Sequence, residues 1–112
     1  MFYLYYAQMV KVIDGDTIVA TIDVGFDLYV KKYIRLAEIN APELNSTDPV
    51  EREKAQASKV YLESILPIGS KFIVNSKKLD PYRRPIVEIF LTSNPISINQ
   101  QMIDGGYAVN YK

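Results

Sequence analysis

The stretch QMVKVIDGDTIVATID, residues 8–23, decides the fold of this chain. Two runs rich in β-branched residues, 8–13 and 17–23, flank Asp14-Gly15-Asp16. An Asp-Gly pair between two such runs is a strong short-range signal for a β-hairpin. We therefore expect two antiparallel strands joined by a tight turn at Gly15.

A third strand is expected over residues 28–37, after a turn at Val24-Gly25-Phe26. Apolar residues alternate along it, which predicts a strand with one buried face. The opposite face carries Lys31, Tyr33 and Arg35, so that two cations and an aromatic ring lie side by side.

The rest of the chain predicts a helix, two strands and a second helix. Asp48-Pro49 is typical of a helix N-cap followed by proline, and helical spacing continues to Leu66. The later elements expected are strands at 71–75 and 85–92, a basic loop between them at 77–84, and a helix at 97–104 closed by Gly105-Gly106.

The order βββαββα predicts the fold class. It is mainly β (α+β): a five-stranded Greek-key barrel of the OB-fold type with two flanking helices. A chain of 112 residues suits one such domain, spanning 1–112.

Composition restricts the chemistry. The chain has no cysteine and no histidine, which excludes disulfides, thiolate catalysis and zinc-thiolate sites. A general base must be a carboxylate, a tyrosine or a lysine, and a metal site must use oxygen ligands. The net charge of zero argues against strong non-specific binding of nucleic acid, but cations cluster around a single acid, Asp80. These cations are Lys71, Lys77, Lys78, Arg83 and Arg84.

The apolar residues 1–6 lack a basic n-region and are too few to span a bilayer. The sequence therefore indicates a soluble chain with no membrane partner and no secretory leader in the residues given. Its compartment stays open: cytoplasmic as it stands, secreted if a leader was removed. Nothing in it suggests an obligate interface, and a monomer is expected.

Most of the polar residues that attract attention fall in three separated motifs. They are IDGDT at 13–17, IRLAEINAPE at 34–43 and DPYRR at 80–84. Alone, each motif is explained as a turn, a loop or a solvated pair of charges. In this order and at this spacing they resemble the staphylococcal nuclease (thermonuclease) family, and residues 99–108 are similar to the family's closing helix and the turn after it.

The resemblance implies calcium-dependent hydrolysis of DNA and RNA with little sequence specificity, leaving 3′-phosphates. It implies that Glu43 activates the attacking water and that Arg35 and Arg84 clamp the phosphate, since a guanidinium fork meets two oxygens at once. The implied calcium ligands are Asp16, Asn40 and, through its backbone carbonyl, Ala41.

Further residues are expected to contact the nucleic acid, with single strands favoured. The resemblance places Tyr82 in the nucleotide pocket and Tyr111 at the rim of the active site. The basic loop contributes the remaining candidates, Lys77, Lys78 and Arg83.

The chain departs from the family pattern at several positions. Asn40 replaces an aspartate and Ala41 a threonine, so one formal negative charge is lost and weaker calcium binding is expected. Pro81-Tyr82 replaces a Lys-Tyr pair. Because the chain stops at Lys112, the family's last helix is expected to be missing.

Two other functions stay open at this point. The first is a catalytically weak or inactive OB-fold barrel that binds single-stranded nucleic acid or a protein partner. The second is a purely structural interaction module.

Overall fold

The structure, a computed structural model, describes residues 3–79, 84–91 and 94–111. The strands are β1 (Tyr3–Asp14), β2 (Thr17–Asp23), β3 (Tyr29–Leu36), β4 (Ile39–Asn40), β5 (Lys71–Leu79), β6 (Pro85–Phe90) and β7 (Val109–Asn110), and the helices are α1 (Pro49–Ile65) and α2 (Ile98–Asp104). Five strands close into a barrel in the order β1-β2-β3-β6-β5, and β4 pairs with β7. The predicted fold class is confirmed, because the chain is mostly β with a closed five-stranded, OB-fold-like barrel and two helices.

Helix α1 begins at the predicted cap Asp48, whereas Ser97, predicted as the first residue of the second helix, is its N-cap. The Asp48 carboxylate accepts a hydrogen bond of 3.0 Å from the Val50 N–H, and Ser97 accepts one of 3.0 Å from the Gln100 N–H. Each bond satisfies an N–H that has no partner within its own helix. Helix α2 ends at Gly105, as expected.

Several predicted boundaries are wrong. Strand β1 begins at Tyr3 rather than at residue 8. Strand β5 runs on to Leu79, so Lys77 and Lys78 belong to a strand and not to a basic loop. The reason is a register shift after Ser76, which lets β5 stay paired with β6 to its last residue. The two-residue strands β4 and β7 are too short to leave a periodic pattern.

The β2–β3 ribbon has two contrasting ends. Along β3, pairing with β2 is continuous, but pairing with β6 is limited to Arg35 and Leu36. We call the end of the ribbon at Thr17 and Arg35 the closed end. The other end, with the turn at 24–28, is the open end.

Burial differs between the two ends, although the alternation of side chains is the same. At the closed end Ile34 and Leu36 are 0% and 1% exposed, whereas Val30 and Leu28, which share their parity, are 37% and 60% exposed. The predicted apolar face is therefore buried only where β6 closes the barrel.

The core fills the barrel and continues beneath both helices. Its largest fully buried side chains include Phe72, Ile18, Ile34, Leu36, Leu62, Leu66, Ile89, Ile98 and Met102. None of the helices within residues 3–79, 84–91 and 94–111 has the length and apolar character needed to cross a membrane.

Candidate active site

The β1–β2 turn packs closely against the segment that follows β4. A Cβ atom built at Gly15 would lie 2.8 Å from the Cβ atoms of Ala41 and Ser58. Because Cβ positions are fixed by the backbone, only glycine fits between them. This close approach brings Asp16 against the backbone of Ala41.

The Asp16 carboxylate is buried, at 8% exposure, and both of its oxygens have partners. Oδ1 accepts a hydrogen bond from the Thr17 hydroxyl at 3.0 Å. Oδ2 accepts one from the Ala41 N–H at 2.9 Å and lies 2.9 Å from Nη1 of Arg35. Asp16 therefore ties together the β1–β2 turn, β3 and the residue after β4.

Four oxygen contacts fix the Arg35 guanidinium. Besides the ion pair with Asp16, Nη2 donates to the Ile39 carbonyl at 3.2 Å. Two longer contacts of 3.5 Å join Nη1 to the Asp16 carbonyl and Nη2 to Oδ1 of Asn40. The first two contacts position the fork, and the longer two are at the limit of a hydrogen bond.

Asp14 is a member of this cluster that the sequence assigned only to a turn. Burial first, then the hydrogen bond and charge of Asp16, raise the pKa of the Asp14 carboxyl to about 6. Its Oδ1 also accepts a hydrogen bond from the Asp16 N–H at 3.2 Å. The Asp14 carboxyl therefore differs in environment from that of Asp16, which pairs with Arg35.

Strand register brings Arg84 to the same surface as Arg35. Arg35 pairs with Ile86 of the parallel strand β6, and Arg84 lies two residues before Ile86, on the same face. Lys78 of β5 pairs with Ile86 from the other side. The structure therefore places Arg35 on β3 and Lys78 on β5, with Arg84 immediately before β6, the strand that lies between them.

Two further predicted site residues flank the β4–β7 pair: Glu43 follows β4, and Tyr111 follows β7. Glu43 is exposed, and its carboxylate makes no hydrogen bond or ion pair within residues 3–79, 84–91 and 94–111. The β4–β7 pair brings in Tyr111, whose N–H donates to the Glu38 carbonyl at 2.8 Å and whose side chain is exposed.

The remaining predicted contacts are Lys77, Tyr82 and Arg83. Nζ of Lys77 lies 3.3 Å from Oε1 of Glu88, so its charge is partly neutralised. Tyr82 and Arg83 lie outside the described residues.

The predicted calcium ligands were tested against the chemistry of the donor set. Asp16 and Asn40 turn oxygens toward the same Arg35 guanidinium, and Ala41 adjoins both. Such hard oxygen donors suit Ca²⁺. Within the described part of the chain, however, no three acidic side chains come together as a metal cluster. The residues fit a weakly held cation that competes with Arg35 for Asp16.

Sequence reasoning missed the support that α2 gives to this region. Asn99 is 4% exposed; its Nδ2 donates to the carbonyls of Ala37 at 2.9 Å and Val87 at 3.0 Å, and its Oδ1 accepts from the Ile89 N–H at 3.0 Å. These bonds hold β6 beside the end of β3. An asparagine in a helical pattern carries no signal of such burial.

Comparison with known proteins gives two matches. Residues 33–112 match the family model described as "Staphylococcal nuclease homologue". The chain is also 29% identical, over 128 residues covering 96% of it, to the uncharacterized protein MJ1439 of Methanocaldococcus jannaschii. It spans 59% of the length of that relative. The family match contains Arg35, Glu43 and Arg84, while Asp16 precedes it.

Proposed function

Because the chain belongs to the staphylococcal nuclease family, whose model matches residues 33–112, we propose that it hydrolyses phosphodiester bonds in DNA and RNA. The observation that carries the proposal is the held guanidinium of Arg35. Contacts of 2.9 Å to Asp16 and 3.2 Å to Ile39 fix its orientation. The two contacts of 3.5 Å are weak enough for phosphate oxygens to replace them.

Arg35 and Arg84 together clamp the scissile phosphate. Arg35 pairs with Ile86 of the parallel strand β6, and Arg84 lies two residues before Ile86, so the alternation of an extended chain would direct both side chains to one face. Two guanidinium groups neutralise the charge that develops on the phosphoryl oxygens. Contacts to phosphate carry no information about bases, and little sequence specificity follows.

Glu43 is the general base of the proposed reaction. Its carboxylate is exposed and therefore available to a water molecule. As the water oxygen bonds to phosphorus, its proton passes to Glu43. The bond from phosphorus to the 5′ oxygen then breaks, and that oxygen takes a proton from solvent. The products are a 3′-phosphate and a 5′-hydroxyl.

Calcium dependence is part of the proposal. Asp16, Asn40 and the Ala41 carbonyl would hold the ion, which when bound supplies charge neutralisation and orientation of water. The ligand charge at Asn40 is tested by calorimetric titration with calcium. Asn40→Asp is expected to bind more tightly than the parent, while Asn45→Asp, on the nearby exposed loop, is the control. Equal affinities for parent and Asn40→Asp would contradict the charge argument.

Cleavage of an end-labelled single-stranded DNA, with calcium and with chelator, tests the function. The parent is expected to cut only with calcium, and Glu43→Gln to lose at least about a hundredfold in rate, as for removal of a general base. Glu63→Gln, an exposed change on α1, serves as the matched control. Cleavage indifferent both to chelator and to Glu43→Gln would refute the mechanism.

A second candidate is an inactive barrel that binds single-stranded nucleic acid. It is favoured by one observation: both Asp16 oxygens already have partners, and Asn40 adds no charge. Salt-sensitive binding of the same DNA without any cleavage would select this function.

A further inference from the structure

The outward face of β3 carries rings and cations in alternation, from the open end to the candidate active site. Its members are Tyr29, Lys31, Tyr33 and Arg35. Tyr29 and Tyr33 are 63% and 55% exposed, and Lys31 is exposed between them. Large exposed aromatic rings on a soluble barrel are unusual enough to indicate a binding surface. We call these four side chains the β3 track.

Neighbouring strands extend the β3 track sideways. Register places Tyr6 and Tyr29 in one cross-strand row, on either side of Asp23. Lys71 and Lys31 end the next row, with Gln8 and Thr21 between them. A cleft of about 480 Å³ opens among Tyr6, Tyr29 and Lys71.

The charge of this surface favours an anionic ligand. Among the described residues, the side chains that face outward on β1, β2 and β3, from the open end to Thr17, include the cations Lys11 and Lys31. Lys71 of β5 lies beside them. The acid among these positions is Asp23, whose Oδ1 accepts a hydrogen bond from the Gly25 N–H at 2.9 Å. The neutral net charge of the chain therefore conceals a locally positive face.

We propose that the β3 track, with Tyr6 and Lys71, binds the part of a single-stranded nucleic acid that extends from the phosphate held at Arg35. Same-face side chains on a strand are about 6.6 Å apart, so Tyr29 to Arg35 spans about 20 Å. Lysines meet phosphates while rings stack on bases, which are free to stack only when unpaired. The proposal rests on the proposed function in taking Arg35 as the phosphate site.

Binding is measured by fluorescence anisotropy with a labelled oligothymidylate of 12 nucleotides, in chelator so that no cleavage occurs. Tyr29→Ala/Tyr33→Ala is expected to weaken binding by about tenfold or more, from the loss of two stacking platforms. Tyr29→Phe/Tyr33→Phe keeps the rings and is expected to bind as the parent does. Thermal unfolding of each variant verifies that it is folded.

The contribution of the lysine in the β3 track is measured separately, from the salt dependence of binding. Lys31→Gln is expected to reduce the slope of log Kd against log salt by about 0.7, the value for one phosphate of a single strand. Lys59→Gln on α1 is the matched control and should leave the slope unchanged. A slope unaltered by Lys31→Gln would contradict the proposed phosphate contact.

The outcomes separate this inference from the proposed function. The proposed role of the β3 track is refuted if Tyr29→Ala/Tyr33→Ala binds the 12-mer as tightly as the parent does. It is also refuted if Tyr29→Phe/Tyr33→Phe loses as much affinity as the alanine variant. Tighter binding of a duplex, or binding of phosphatidylserine vesicles in place of oligothymidylate, also overturns it. If the parent cleaves no nucleic acid but Tyr29→Ala/Tyr33→Ala still loses binding of the 12-mer, the β3 track is supported and only the proposed nuclease activity is refuted.

Discussion

The closed and open ends of the β2–β3 ribbon share one pattern of alternation and have different surroundings. At the closed end β6 adds a third strand, and Arg35 is held by Asp16 and Ile39. At the open end β3 is an edge, and Tyr29 is largely exposed. This difference shows that the alternation of apolar residues specifies a strand, whereas pairing with a further strand determines whether its apolar face is buried. Equivalent substitutions at the two ends therefore have unequal effects.

The largest difference is expected between Ile34→Ala and Val30→Ala. Ile34 is fully buried, and removing its methyl groups leaves a cavity that costs about 3 kcal/mol of unfolding free energy. Val30 has the same parity but is 37% exposed, and its truncation should cost less than about 1 kcal/mol. Urea denaturation measures both. Similar losses would show that the open end is packed in solution.

The next pair compares the glycines of the two turns. Gly15→Ala places a Cβ 2.8 Å from those of Ala41 and Ser58, and displacing them should cost about 2 kcal/mol. Gly25 has φ of +88° with nothing within 4 Å of an added Cβ, so Gly25→Ala costs only the backbone strain, about 1 kcal/mol. The same denaturation experiment ranks the two. A smaller loss at Gly15 would contradict the close packing of the site.

Charge removal at the two ends gives a third comparison. Asp16→Asn preserves the shape but removes the charge facing the half-buried Arg35, and should cost about 1–2 kcal/mol together with most of the cleavage rate. Asp23→Asn at the open end is the matched control and should change stability by less than about 0.5 kcal/mol. Equal effects would mean that the Asp16–Arg35 pair is as weak as a surface pair.

The smallest effect concerns the pH dependence of stability at the closed end. The pKa of Asp14 is raised to about 6 from an ordinary 3.8, so the folded protein binds this proton more tightly than the unfolded chain does. The stability that this proton contributes is present below pH 3.8 and is lost as the pH rises through about 6. Without screening, a shift of this size would correspond to about 3 kcal/mol at pH 7, and solvent around this part-buried carboxyl reduces it to about 1 kcal/mol. Asp14→Asn, measured in chelator, should therefore be close to the parent near pH 4 and exceed it by about 1 kcal/mol at pH 7. A constant difference between parent and variant from pH 4 to 7 would rule out the shift.

Much of the fold could be predicted because its signals are local. The Asp14-Gly15 turn, the Asp48 cap and the glycines after α2 each act within a few residues, and each is found where expected. The end of β5 could not be predicted, since the pairing of Leu79 with Pro85 depends on the register shift after Ser76, which leaves no periodic pattern in the sequence. The exposure of Val30 likewise depends on how far β6 reaches, which no pattern within β3 reveals.

The sequence predicted which residues belong to the candidate site, but not how these residues contact one another. The motifs named Asp16, Arg35 and Asn40, and the structure brings these three together. The bond from Ala41 to Asp16 and the burial of Asp14 arise from tertiary packing that spacing cannot encode. The catalytic and metal-binding roles of the site residues stay predictions until the variants are measured.

The short parallel contact between β3 and β6 also bears on when the site comes into existence. Strands β1, β2 and β3 join through close neighbours in sequence, as do β5 and β6, whereas Arg35 and Ile86 meet across nearly half of the chain. Joining distant segments carries the greater entropy of loop closure and is the slower step. Arg84, the residue before β6, is brought toward the end of β3 only through that closure. The proposed phosphate clamp is therefore complete only after β6 has been synthesised and has docked on β3.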